Sequence, residues 1–89
     1  MNIASILEKA AFYFPDHLAV IDKDKSIRFN QFNRDASRVA SALHSRGIRP
    51  GDHVALCAPN SYAWLTFYFG VLRAGAVAVT FSHLLTKNE

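Results

Sequence analysis

The side chains able to ligate a metal or act as a nucleophile are few: His17, His44, His53 and His83, the single Cys57, and serines such as Ser26, Ser61 and Ser82. A metal centre needs ligands at short, repeated spacing, and these histidines stand apart with no cysteine partner. Cys57 closes an apolar run, where burial would disfavour its thiolate. The serines sit in no nucleophile-elbow pattern. Asp22 and Asp24 form a carboxylate pair of the kind used in acid–base chemistry, but between Lys23 and Lys25 they read as solvated turn formers. No P-loop and no G-x-G-x-x-G is present, and Gly47, Gly51, Gly70 and Gly75 all have structural places. Ala58-Pro59-Asn60 precedes a helix start that could hold an anion, although Asn60 and Ser61 are expected to cap those donors themselves. The residues therefore assign no catalytic, cofactor-binding or metal-ligating position.

The elements that would position any chemistry are clearer. Ser5-Ile6-Leu7-Glu8 fits a capping box, with Asn2 a competing cap, and Ile3, Leu7, Ala11 and Phe14 make a helical stripe that Pro15 ends. Leu18–Ile21 and Ser26–Phe29 flank a polar turn, Asp22–Lys25, and predict a β-hairpin. Asn30 is the expected N-cap of an amphipathic helix. Phe32, Ala36, Val39, Ala40 and Leu43 form its inner face, and Arg34, Asp35, Arg38, Ser41 and Ser45 its outer one. Gly47 at C′ and Ile48 at C″ should terminate it, and Pro50-Gly51-Asp52 should turn the chain.

His53–Cys57 and Ala76–Phe81 are apolar without alternation, as in parallel strands covered on both faces. The helix between them, about Tyr62 to Ala74, makes a βαβ unit that should be right-handed. Only Thr66, Gly70 and Arg73, on one narrow strip, interrupt its apolar surface. A helix apolar nearly all round belongs inside a larger body, so neighbours beyond these elements are expected. The expected layout is an α/β fold: residues 1–29 as helix and hairpin, 30–47 as the amphipathic helix, 53–81 as the βαβ unit, together a single partial domain over 1–89.

Composition narrows the classes. At 89 residues and 51% hydrophobic the chain can build one modest core, which excludes disorder, and the lone cysteine excludes a disulfide scaffold. The net charge of +3 carries no stacking motif or finger spacing, so a solvated face is expected rather than a nucleic-acid surface. The hydropathic stretch Tyr62–Phe81 contains Arg73 and then Gly75, which predicts two separate elements and no transmembrane segment. No basic leader segment is seen at the start, and a cytoplasmic location is the expectation.

Phe14–Val20, Ile27–Phe32, Gly47–Leu56, Pro59-Asn60-Ser61 and Phe69–Val79 together closely resemble the amino-terminal segment of AMP-forming acyl-CoA synthetases, in the adenylate-forming (AMP-binding) superfamily. Two departures stand out: Asp24-Lys25 where the family commonly has Gly, and Thr80-Phe81-Ser82 where it commonly has Pro, a small apolar residue and Asn. The resemblance implies the N-terminal portion of a large domain and a two-step reaction. A carboxylate attacks ATP to give acyl-adenylate and pyrophosphate, and the coenzyme A thiol then displaces AMP. ATP, Mg²⁺ and coenzyme A are implied for the full-length enzyme, none for this fragment. The family's phosphate loop, Thr-Glu motif, ribose-binding Asp and mobile Lys match no position here, so no site residue is carried over.

The resemblance favours a scaffold fragment without activity of its own, whose partner is the remainder of the parent chain. The alternative is a stand-alone interaction module that self-associates or docks through the Trp64/Tyr68 helix. A third reading is a small nucleotide-binding βαβ protein using the Pro59–Ser61 turn.

Overall fold

A computed structural model describes residues 3–56 and 61–80. Seven elements follow in order: α1 (Ile3–Tyr13), β1 (Leu18–Asp22), β2 (Lys25–Arg28), α2 (Phe29–Ser45), β3 (His53–Leu56), α3 (Tyr62–Arg73) and β4 (Val77–Thr80). The architecture is α/β, with an antiparallel β1–β2 hairpin and a parallel β3–β4 pair joined through α3.

Helix α1 starts earlier than the capping box required. Ser5 is its third residue, and Asn2, the competing cap, lies outside the described residues. Leu7 is buried as expected, but Phe14 is beyond the helix end and half exposed, because Pro15 and the turn after it take the chain off the helical path.

The hairpin pairs Val20 with Ile27, both facing the core, and Ile21 with Ser26, both facing out. The register is irregular between Leu18 and Val20, so Ala19 and Val20 both reach the core. Its two-residue turn, Lys23-Asp24, is tighter than the four-residue one expected. Lys23 takes φ 59°, a left-handed conformation that disfavours a side chain bearing Cβ. Lys23→Gly is expected to raise the urea midpoint, by about 0.5 kcal/mol of stability. A lower midpoint would mean that the lysine side chain contributes more than its backbone costs.

Helix α2 begins one residue before the expected Asn30 cap. Arg28 occupies the N-cap position with no side-chain bond, while the Asn30 carboxamide oxygen accepts from Gln31 N–H at 2.7 Å. Its other end matches expectation. Gly47 has φ 93°, its N–H donates to His44 O, and Ile48 N–H donates to Leu43 O, the paired bonds of a Schellman cap. Helix α3 ends the same way, with Gly75 N–H on Leu72 O and Ala76 N–H on Val71 O. The turn from Arg49 to Asp52, closed by Asp52 N–H on Arg49 O, is tied to that second cap through Gly51 N–H on Gly75 O at 2.9 Å. Two helix ends and a turn thereby set where β3 and β4 start.

Two core clusters result. One joins Ala40 and Leu43 of α2 to Val71, Ala74 and Ala76; the other joins Leu7, Ile27, Phe32 and Ala36. Among the described residues the expectation of strands covered on both faces does not hold. His53, Ala55 and Val77 are exposed, because among the described residues helices cover one side of the β3–β4 pair.

The largest correction concerns α3. Its interrupting strip is the buried face: Thr66 and Gly70 are buried with Val71 against α2, while Phe67 is 41% exposed. Size decides this rather than hydropathy, since small residues let two helices approach closely. A Cβ at Gly70 would meet Val39 Cγ1, Val39 Cβ at 2.5 Å and Ala36 O at 3.1 Å. Thr66 Oγ1 donates to Tyr62 O at 2.8 Å, so its hydroxyl is satisfied along its own helix. Arg73 completes the strip by donating from Nη1 to Asn33 O at 3.0 Å and Ser37 Oγ at 2.7 Å across the helix pair.

Candidate functional site

The chemically capable residues stay dispersed. His17 is exposed and stacks on Phe14 with ring centroids 5.0 Å apart. His44 lies at the end of α2, its Nε2 3.3 Å from Ala74 O. His53 is exposed at the start of β3 and Asp24 is exposed in the hairpin turn, whereas Cys57, Pro59, Asn60, Ser82 and His83 lie outside the described residues. Among the described residues no group of three or more His, Cys, Asp or Glu could hold a metal ion.

Polar groups converge instead at the start of α3. Ser61 is the N-cap and its Oγ accepts from Trp64 N–H at 3.2 Å. Asp22, expected to be solvated, is half-buried and its Oδ2 accepts from Tyr62 N–H at 3.2 Å. The hairpin thus supplies a carboxylate to the positive end of the helix, where a negative charge is favoured. Val20, Ile21, Leu65 and these capping residues line a shallow hollow of about 200 Å³. With a carboxylate already at its head, the hollow does not suit the phosphates of a nucleotide.

Asp35 is the second residue that the sequence misplaced. Placed on the outer face of α2, it is half-buried and accepts from Tyr62 Oη at 2.6 Å. Burial first, and then this hydrogen bond, push the Tyr62 hydroxyl up to about 12. The fold favours the protonated phenol, so this stability is complete below the ordinary tyrosine value near 10 and is lost as pH rises towards 12. Alkaline unfolding should therefore steepen across that window, and Tyr62→Phe should remove the steepening. An identical pH profile in the variant would show that the bond carries no linkage. The pair spans 27 residues of chain, and no local pattern announces it.

The Trp64/Tyr68 face is not the open side of α3. The two rings stack 5.4 Å apart, 7° from parallel, and both are half-buried; Phe67 is the exposed ring. Among the described residues no helix is long and apolar enough to cross a membrane.

The arrangement of hairpin, amphipathic helix and βαβ unit is that of the N-terminal subdomains of adenylate-forming enzymes. It superposes on the apo structure of Mycobacterium smegmatis MbtA with a TM-score of 0.88 at 41% identity, over 93% of this chain and 16% of that one. The model of the family described as "AMP-binding enzyme" matches residues 7–89, and the chain belongs to that family. Among curated relatives, a 3-[(3aS,4S,7aS)-7a-methyl-1,5-dioxo-octahydro-1H-inden-4-yl]propanoyl:CoA ligase of Rhodococcus jostii is 39% identical over 96% of this chain. A long-chain-fatty-acid–CoA ligase of Bacillus subtilis is 36% identical over 99% of it. The chain spans 16% of the length of each of these two relatives.

Proposed function

We propose that these residues are the N-terminal segment of the large domain of an ATP-dependent acid–CoA ligase, acting as scaffold for a site built elsewhere in the protein. The observation that carries the reading is the family match over residues 7–89 with relatives named as CoA ligases. The one-sided β3–β4 sheet, apolar in sequence yet open on one face, supports further structure packing there.

In the proposed reaction a carboxylate oxygen of the acid bonds to the α-phosphorus of ATP and pyrophosphate leaves. The coenzyme A thiol then attacks the acyl carbon, loses its proton and expels AMP. The acyl-adenylate makes this possible, because AMP is a far better leaving group than the oxide of a free carboxylate. ATP, Mg²⁺ and coenzyme A belong to the whole enzyme. Two observations support a scaffold role for this segment: Asp22 and Ser61 already occupy donors at the start of α3, and among the described residues no group of three or more His, Cys, Asp or Glu could hold a metal ion. We assign residues 1–89 no catalytic or cofactor contact.

The test is ATP–pyrophosphate exchange by the protein with a panel of fatty, aromatic and polycyclic acids, followed by coenzyme A-dependent release of AMP. Exchange by the protein and none by residues 1–89 alone is the expected result. Exchange by residues 1–89 alone would overturn the scaffold reading, and none by the protein with any acid would overturn the ligase reading.

A further inference from the structure

We draw no further inference here: the strongest candidate, the guanidinium edge of Arg73 between α2 and α3, whose buried Nε and Nη2 find no acceptor among the described residues, carries nothing because nothing in the structure shows what group covers that edge or accepts from it.

Discussion

Phe32→Ala is expected to cost about 4 kcal/mol, the usual toll of emptying a buried aromatic site. Phe32 is 6% exposed and its ring meets Tyr62 and Phe69 edge-on, with centroids 5.6 and 5.3 Å away. The same cluster holds Leu7 of α1 and Ile27 of β2, so one side chain ties both helices and the hairpin to α3. Against a total stability of about 5–15 kcal/mol for a domain, that loss would leave much of the protein unfolded at moderate temperature. Phe32→Leu should recover most of it, lacking only the ring contacts and a little volume. Phe12→Ala, at a ring 77% exposed, should change little and serves as the control. Urea unfolding of the three variants decides the matter: a loss below about 1 kcal/mol for Phe32→Ala would mean that the cluster collapses around the gap.

Gly70→Val should be nearly as damaging, by about 3 kcal/mol, through overpacking where α2 and α3 are closest. Two opposing effects meet at this position. Glycine in a helix interior sacrifices about 1 kcal/mol relative to alanine, so by propensity alone Gly70→Ala would stabilise. The close approach reverses the sign, because the added Cβ would meet both Val39 and the Ala36 carbonyl, and a backbone oxygen cannot swing aside. We expect Gly70→Ala to destabilise by about 1–2 kcal/mol. Val39→Ala in the same chain should restore part of this, giving a non-additive pair in a double-mutant cycle. A higher melting temperature for Gly70→Ala would show that the helices can separate cheaply, and the small-residue account of this interface would fail.

Both variants bear on what was readable beforehand. The elements were legible because their signals are local: the Gly47-Ile48 and Gly75-Ala76 helix ends, the Pro50-Gly51 turn and the apolar periodicity of α2 each act within a few residues. The boundaries that slipped, at Ser5 and Asn30, are polar residues plausible as caps that the structure places inside the first turn.

What the residues determined by themselves was the series of elements, the stop signals between them and the family likeness, since each depends on neighbours in the chain. Tertiary structure alone decided which face of α3 is inside. Thr66, Gly70 and Arg73 are the breaks in its apolar surface, yet contact distance favours small side chains between helices, and Arg73 finds its acceptors on α2. It also drew Asp22 and Asp35 from an apparently solvated state onto Tyr62, because the donors they satisfy belong to a helix remote in sequence and adjacent only after folding.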